Sequence, residues 1–343
     1  MNWEEYQGIR KKIFDSLPKD AFEENPSMLI WGLCYALIIG TSSIILYRDN
    51  IGIITSLVLS LIIGICYGCW TFLAHDVLHG SVVRSKILQN LIGYPGFSIY
   101  FMSSYVWKAW HNRLHHPETN KNGIDPDMFG LEDTFFNYPM AKVLYRQAPG
   151  SRKIDSLFLS FTSRFTNQSF NVLWYFAFKN PKIFKGMTLW RGVLETLLIY
   201  SLWGLLINFL GWKNSLFILF IPMMIANTTV MAYIYTQHLM CPMTDQNIPL
   251  INTTSVKTLP LIDFLHHNFS YHVEHHMFPT LNAKYLPYVS KKLVELCPEH
   301  YRRLSHWAAL KLLFKTPRVY KDAHTLIDPY TREELDVRTL FKS

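Results

Sequence analysis

The pattern of apolar and polar positions predicts four membrane-spanning helices. Four segments of 20 residues or more contain at most one charged side chain, Glu195 in the third. A helix needs roughly 20 residues to cross the hydrocarbon core of a bilayer. Short polar turns at residues 48–50 and 212–214 join the segments in pairs. The pattern therefore predicts two helical hairpins, with spans at residues 27–47, 51–74, 192–211 and 215–238.

Composition agrees with a membrane protein. Half of the residues are hydrophobic and only 17% are charged, whereas soluble proteins average about 25% charged residues. Cys66 and Cys69 form a C-x-x-C pattern, but it lies within an apolar run. We expect ordinary apolar helix residues there rather than a redox pair.

The distribution of basic residues predicts the orientation. Residues 75–189 contain thirteen Lys and Arg, and the chain after His238 contains thirteen more, against one in each short turn. By the positive-inside rule, both termini and the segment between the hairpins face the cytoplasm. No secretory signal is expected before the first apolar run. The predicted fold is an all-α, multi-pass membrane protein, a single domain of residues 1–343 with a cytosolic helical cap at 75–189 and 239–343.

Residues 87–107 are also uncharged and long enough to span. They contain Gly93, Pro95, Gly96 and several polar side chains, which would break a helix. A crossing here would also place the histidines that precede and follow it on opposite faces of the membrane. We therefore predict a re-entrant or interfacial segment.

Candidate chemistry lies in the histidines. Most of the 14 lie in short clusters next to the predicted spans, and the groups are His75/His79, His111/His115/His116, His266/His267, His272/His275/His276 and the single His238. Spacings of three and four residues place two imidazoles on one face of a helix. Neutral imidazoles packed together need partners for both nitrogens, and a metal ion supplies one of them. Because a zinc site uses three or four ligands, this number of histidines predicts two metal ions.

Neighbouring polar residues are candidates to support these ligands. Asp76 follows His75 and Glu274 precedes His275, and carboxylates commonly accept the distal N–H of a ligating imidazole. Asp125 and Asp127 are turn residues by default, with a supporting role as the alternative. Asn268 is a candidate to hold a metal-bound water, while His266 and His267 lie outside the spaced motifs.

Imidazole ligation suits iron, copper, nickel or zinc. The zinc hydrolase pattern H-E-x-x-H is absent, and Tyr271 occupies the first position of H-x-x-E-H. The residues alone therefore predict a dinuclear, redox-active membrane site.

The ordered boxes resemble those of the integral-membrane fatty acid desaturase and hydroxylase superfamily. Three histidine boxes carry the resemblance: His75-x-x-x-His79, His111-x-x-x-His115-His116 and His272-x-x-His275-His276. The motif Asp125-Pro-Asp127 and the sequence from Tyr271 to Pro279 support it. The resemblance covers roughly residues 30–300. It implies a cytosol-facing diiron centre held by nine histidines, the eight in these boxes and His238.

The resemblance also implies an activity and partners. Dioxygen is the co-substrate, and the enzyme removes two hydrogens from an acyl chain carried on a membrane lipid, coenzyme A or acyl carrier protein. No fused cytochrome b5 motif is visible, so an external ferredoxin or cytochrome b5 is expected to supply electrons. The net charge of +8 suits an acidic donor or anionic lipid, and no nucleic-acid partner is expected.

Three alternatives have distinct signatures. A hydroxylase or carotenoid ketolase would share the ligand set but insert oxygen. A metal transporter would place its ligands near the bilayer midplane, whereas these histidines lie at or beyond the ends of the spans. A zinc hydrolase would not need nine imidazoles.

Overall fold

The computed structural model describes residues 1–48, 51–146, 148–150, 154–179 and 181–340. Asp49 and Asn50, in the first predicted turn, lie outside the described residues. The chain forms two compact units. We call them the span unit, after its long apolar helices, and the terminal unit, which contains both chain termini. The span unit comprises residues 24–112 and 161–231, and the terminal unit comprises residues 1–23, 113–160 and 232–343.

Three helical stretches in the described residues are long and apolar enough to cross a membrane: Pro26–Arg48, Ile53–His79 and Leu189–His238. The first begins with a 3-10 turn, Pro26–Met28, and continues as the helix Leu29–Arg48. The third covers 50 residues. It contains the helix Leu189–Ser215, a π-helical segment Leu216–Phe220 and the helix Ile221–His238.

Gly211 interrupts the third stretch immediately before the predicted second turn at residues 212–214. Its backbone is not helical, with φ 71° and ψ 168°. Glycine adopts this conformation without the steric cost that a side chain would add. The predicted boundary between the third and fourth spans therefore coincides with a kink inside one long helical stretch.

Shorter helices account for most of the other regular structure. In the first half of the chain these are Trp3–Ser16, Lys86–Ser98, Ser104–Trp107, the π-helical Lys108–His115, Glu132–Asn137, Pro139–Arg146, Ile154–Thr162, Arg164–Asn171, the π-helical Val172–Phe176, Ala177–Lys179 and the 3-10 turn Pro181–Phe184. In the second half they are Pro249–Asn252, Pro260–Leu265, His272–Met277, Ala283–Tyr285, Leu286–Leu296, His306–Lys315 and Val337–Thr339.

The expectation of an all-α chain is corrected by five short strands in the terminal unit. Ser255–Lys257 pairs in parallel with Arg303–Ser305. Val319–Tyr320, Thr325–Ile327 and Glu334–Asp336 form an antiparallel sheet. Strands of two or three residues are too short to show the alternation that identifies a strand in a sequence, so the pattern did not reveal them.

The helix Lys86–Ser98, within the segment predicted to be re-entrant or interfacial, packs on the helix Ile53–His79. Trp70 Nε1 donates to Ile92 O at 3.0 Å, and Thr71 Oγ1 donates to Gly96 O at 3.1 Å. A Cβ atom at Gly96 would lie 2.6 Å from the Cβ of Ala74. The absence of a side chain at this position allows the two helices to approach closely.

The core of the terminal unit lies around the third histidine box. The N-terminal helix Trp3–Ser16 packs against the helix Leu286–Leu296. Buried residues of both helices join Val273 and Met277 in one apolar cluster. Arg10 Nε donates to Met277 O at 3.3 Å. The histidine-bearing helix His272–Met277 is therefore held by a well-packed apolar core.

Candidate metal centre

Three histidines form a cluster within the span unit. His75 and His79 occupy the last turns of the helix Ile53–His79, which Gly80 ends in the left-handed conformation at φ 84°. His111 belongs to the segment Lys108–His115. The ring centroids of these three histidines are 4.6–5.3 Å apart, and their ligand nitrogens lie within 4.8 Å of one another.

Two neighbours fix the orientation of these rings. Trp107 stacks on His111 with centroids 4.3 Å apart and an interplanar angle of 22°. The Oδ1 atom of Asp76 lies 2.9 Å from Nδ1 of His75. When this Nδ1 carries the proton, it donates to the carboxylate and leaves Nε2 available as a ligand atom.

Four buried imidazoles converge within the terminal unit. Nε2 of His272 faces Nε2 of His238 at 2.7 Å and Nε2 of His276 at 3.2 Å. The His115 ring lies 4.7 Å from the His238 ring. Ligand nitrogens of His115, His238 and His276 lie within 4.8 Å of one another. These rings come from three separate parts of the sequence, and His238 ends the last long helix.

His116 and His275 form a further pair in the terminal unit. Their Nε2 atoms face each other at 3.2 Å. The His116 ring also stacks on the His276 ring at 4.2 Å. All six histidines predicted as ligands in this unit therefore lie in one contiguous cluster.

Electrostatics favour the neutral form of His276 in this cluster. Burial, and then the neighbouring imidazoles led by His116 and His272, lower the pKa of His276 well below the usual histidine value. A neutral imidazole is the form that binds a metal. Nε2 atoms that face one another cannot all be satisfied by their own protons, whereas one ion accepts a lone pair from each. The facing imidazole nitrogens of this cluster therefore fit the coordination of metal ions.

Asp125 and Asp127 support His115. Their carboxylates lie 3.1 and 3.2 Å from its Nδ1 atom. Burial would lower the pKa of His115, but the charge and hydrogen bond of Asp125 raise it. Burial would raise the pKa of Asp125, but His115 and backbone N–H groups, including that of Asn120 at 2.8 Å, hold it below its usual value. This arrangement fixes the ring orientation of His115.

Asn120 is a supporting residue that sequence reasoning missed. It adopts φ 57°, a conformation that asparagine tolerates better than most residues. Its Nδ2 atom lies within hydrogen-bonding distance of three carbonyl groups, including His238 O at 3.2 Å and Asn252 O at 3.3 Å. Asn120 thereby links the second histidine box to the end of the helix that carries His238. The asparagine four residues after His116 was the available signal.

Glu274 was predicted to accept an imidazole N–H, and the structure corrects this. Its carboxylate accepts a hydrogen bond from Ser255 Oγ at 2.6 Å and another from the Tyr301 hydroxyl. Burial raises the pKa of Glu274, against the effect of these two donors. Ser255 Oγ also accepts from the backbone N–H groups of His272 and Val273 at 3.0 Å. Glu274 therefore anchors the third-box helix to the strand Ser255–Lys257.

Asn268 and His266 have structural contacts. The Asn268 side chain donates to Ala283 O at 3.0 Å, so the structure shows it bracing a turn. His266 Nδ1 lies 2.8 Å from the Tyr233 hydroxyl. His267, at φ 54°, is buried in the same turn.

A family model described as fatty acid desaturase matches residues 53–308. The chain is 22% identical to a Delta(8)-fatty-acid desaturase of Euglena gracilis, over 70% of this chain and 61% of that protein. It is 21% identical to Delta(8)-fatty-acid desaturase 2 of Arabidopsis thaliana, over 74% of this chain and 61% of that protein.

An Acyl-lipid (9-3)-desaturase of Borago officinalis is 22% identical over 90% of this chain and 73% of that protein. The chain spans about three fifths of the length of the first two of these relatives.

Proposed function

Because the chain belongs to the fatty acid desaturase family, we propose that it is an O2-dependent acyl desaturase that uses two iron ions. The single observation that carries the proposal is the convergence of buried imidazole nitrogens, 2.7–3.2 Å apart around His272. A pair of irons bound there would supply the oxidising chemistry that removes two hydrogens from an unactivated acyl chain.

The proposed ligands are the nine histidines of the sequence prediction. His75, His79 and His111 contribute from the span unit. His115, His116, His238, His272, His275 and His276 contribute from the terminal unit. The clustering of each set within its own unit supports the assignment, and the family match adds that two irons are expected.

The chain's own residues hold these ligands in the protonation state that iron needs. In this assignment the Asp76 carboxylate accepts a hydrogen bond from Nδ1–H of His75, and the Asp125 carboxylate accepts one from Nδ1–H of His115. Each contact orients the opposite ring nitrogen outward as a ligand. Eight of the nine imidazoles are buried, which limits the access of water and protects an oxidising site from side reactions.

We further propose that the chain crosses the membrane four times, with the kink at Gly211 separating the third and fourth crossings. The 50-residue length of the last stretch supports this, because one crossing uses roughly 20 residues. The basic residues between and after the hairpins support a cytoplasmic location for both termini and for the histidines.

The proposed substrate is a fatty acyl chain, carried on a lipid or as a thioester. The names of the relatives from Euglena, Arabidopsis and Borago support an acyl substrate. The proposed electron donor is a separate ferredoxin or cytochrome b5, whose acidic surface would complement the net charge of +8.

The test is expression in a host that lacks desaturases, followed by mass spectrometry of its lipids. A desaturase yields fatty acids that have lost two hydrogens. A product that has gained one oxygen would instead identify a hydroxylase or ketolase. Metal analysis of the purified protein should give about two irons per chain, and a single zinc would overturn the proposal.

A further inference from the structure

A cavity of about 570 Å³ lies within the span unit, between the helices Ile53–His79, Lys86–Ser98 and Leu189–Ser215. Its volume is in the range of small-molecule sites. Leu198 and Leu202 line the cavity and are more than half exposed on a helix that is apolar enough to cross a membrane. In a membrane, hydrocarbon surrounds this surface, so an acyl chain can enter the cavity from the bilayer.

The polar side chains of the lining do not select a ligand by themselves. Glu195 accepts a hydrogen bond from Arg191 Nε at 2.7 Å and another from the Tyr94 hydroxyl. The remaining polar side chains of the lining are the neutral hydroxyls of Tyr67 and Ser98. Because Glu195 is already paired with a cation, the lining carries no unbalanced charge. A charge that selects a head group must therefore lie beyond the lining.

The second and third of these helices run in the same direction along the cavity. Tyr94 contacts Glu195, and further along both helices Trp203 Nε1 donates to Ser98 O at 2.8 Å. The two contacts follow the same order in both helices, which is the arrangement of parallel neighbours. The N-terminal ends of the two helices therefore lie together at one end of the cavity.

Three cationic side chains gather at this shared end. Lys86 begins one helix, and Arg191 lies in the first turn of the other. Lys108 Nζ donates to Gln89 Oε1 at 2.6 Å, and Gln89 lies three residues after Lys86, on the same helix face. The Arg191 guanidinium lies 4.3 Å from the centroid of the Tyr105 ring, and Tyr105 lies three residues before Lys108. We call Lys86, Lys108 and Arg191 the cationic mouth of the cavity.

The cationic mouth carries more positive than negative charge. Among the residues that the structure describes, Arg191 alone of the three pairs with a carboxylate, that of Glu195. The hydrogen-bond partner of Lys108 is a neutral amide. Burial, and then the charges of Lys86 and Arg191, lower the pKa of Lys108. Two positive charges therefore remain without a counterion, and an anion placed between them would relieve their repulsion.

An apolar cavity with a cationic mouth complements an amphiphile that has an anionic head and a hydrocarbon chain. Phosphate oxygens form strong, charge-assisted hydrogen bonds with lysine and arginine. In a glycerophospholipid the phosphate lies close to the acyl esters, whereas in an acyl coenzyme A a long pantetheine arm separates the thioester from the phosphates. A phosphate at the mouth with a chain directly inside the cavity therefore favours a glycerophospholipid. A choline head would bring its own positive charge, so an anionic lipid fits better.

We propose that the cavity and its cationic mouth bind an anionic glycerophospholipid from the membrane. The phosphate contacts Lys86 and Lys108, and one acyl chain lies along Leu198 and Leu202. The site belongs entirely to the span unit. Binding there requires neither bound metal nor the proposed desaturase reaction.

The experiment uses the full chain in phosphatidylcholine nanodiscs that contain a small fraction of a photoreactive lipid. The two probes are phosphatidylglycerol and phosphatidylcholine, each with a diazirine near the end of one acyl chain. After illumination, mass spectrometry should find the label on peptides covering residues 198–206, about tenfold more with the phosphatidylglycerol probe. Equal labelling by the two probes would overturn the proposal.

Two soluble competitors distinguish other sources of phosphate. Oleoyl coenzyme A and inorganic phosphate, added to the nanodiscs, should each leave the labelling by phosphatidylglycerol unchanged. If oleoyl coenzyme A removed the label, the mouth would serve a thioester and the assignment to a membrane lipid would be wrong. If inorganic phosphate removed it, the mouth would be an anion site that does not need the acyl chain.

Charge variants test the cationic mouth. Lys86→Gln and Lys108→Gln each remove one unpaired positive charge, so each should reduce labelling by the phosphatidylglycerol probe about fivefold and leave labelling by phosphatidylcholine unchanged. Lys86→Arg keeps the charge and should keep the labelling. Lys213→Gln removes one charge at the far end of the helix Leu189–Ser215 and should have no effect. A loss with Lys213→Gln equal to that with Lys108→Gln would show that overall charge attracts the lipid, and would refute the proposal.

A second pair of variants tests the position of the acyl chain. Leu202→Trp fills the cavity and should abolish the preference for phosphatidylglycerol. Leu205→Trp adds the same ring on the same helix outside the lining, so the preference should persist. The two positions are similarly exposed, at 57% and 67%. Equal behaviour of the two variants would contradict the assignment. Because labelling does not depend on desaturation, an inactive chain could still confirm this site, and an active chain without the preference would refute this site alone.

Discussion

The histidine clusters of the two units are built in different ways. In the span unit, His75 and His79 share one face of a continuous helix, and His111 completes the cluster. In the terminal unit, the rings come from three distant parts of the chain and depend on Asn120 and Ser255 for their placement. One cluster depends mainly on helix periodicity, while the other depends on a tertiary network of buried polar groups.

This difference shows which histidine-bearing helix needs tertiary contacts to hold its position. A helix of 27 residues positions its last two turns by its own backbone hydrogen bonds. The helix His272–Met277 has only six residues, too few to be stable alone. Its position is set by Glu274, Ser255, Tyr301 and the apolar core. We therefore expect the terminal cluster to be the more sensitive of the two to changes outside the ligands.

The largest effects are expected from losing a ligand in either cluster. His111→Ala and His275→Ala should each abolish desaturation, because each removes a proposed iron ligand. Both proteins should still insert in the membrane, since neither residue forms part of an apolar helix face. Lipid profiling measures activity, and metal analysis measures iron per chain. Full activity in either variant would refute the ligand assignment for that cluster.

Asp125→Asn should have the next largest effect. The buried carboxylate lies 3.1 Å from His115 Nδ1 and accepts two backbone N–H groups. Loss of such a partner typically costs 10–100-fold in metal affinity or activity. Iron titration of the purified variant measures this. Glu118→Gln, which alters a more exposed carboxylate in the same region, is the control and should bind iron as the unmodified chain does.

The sequence predicted which histidines lie together better than it predicted the residues that hold them in place. Residues three or four apart lie on the same face of a helix, so pairs such as His75/His79 could be identified directly from their spacing in the sequence. The contact of Asp125 with His115 needs a turn between residues 116 and 125 that no periodic pattern describes. Glu274 was assigned to an imidazole because it lies between His272 and His275, yet its side chain points to Ser255 and Tyr301.

The fold shows the same limit. Long apolar segments identified the regions of the three long apolar stretches in the described residues, because hydrophobicity over 20 residues is a strong signal. The kink at Gly211 within one helical stretch, and the strands Ser255–Lys257 and Arg303–Ser305, depend on contacts between distant residues. Neighbouring residues in the sequence contain little information about such contacts.

Asp76→Asn should affect the span unit less than Asp125→Asn affects the terminal unit. Asp76 Oδ1 lies 2.9 Å from His75 Nδ1, and the helix backbone already positions the ring. We expect iron affinity to fall about tenfold, which is the lower end of the range typical for the loss of a carboxylate partner of a metal-binding histidine. The same iron titration measures it. A loss as large as that of Asp125→Asn would show that the span cluster depends equally on its carboxylate.

Glu274→Gln should have the smallest effect on iron and a distinct effect on stability. An amide retains one acceptor oxygen but replaces the other with a donor, so one of the hydrogen bonds from Ser255 and Tyr301 is lost. A buried group left unsatisfied costs about 1–3 kcal/mol. The thermal midpoint of the variant should therefore fall, while the folded protein should bind iron with unchanged affinity.

Tyr301→Phe offers a matched comparison, because it removes one donor to the same carboxylate and leaves the ring in place. It should lower the thermal midpoint in the same way and leave iron affinity intact. If Glu274 instead acted on an imidazole, Glu274→Gln would weaken iron binding and Tyr301→Phe would not. The two variants measured together thus distinguish an anchor of the short helix from a partner of a metal ligand.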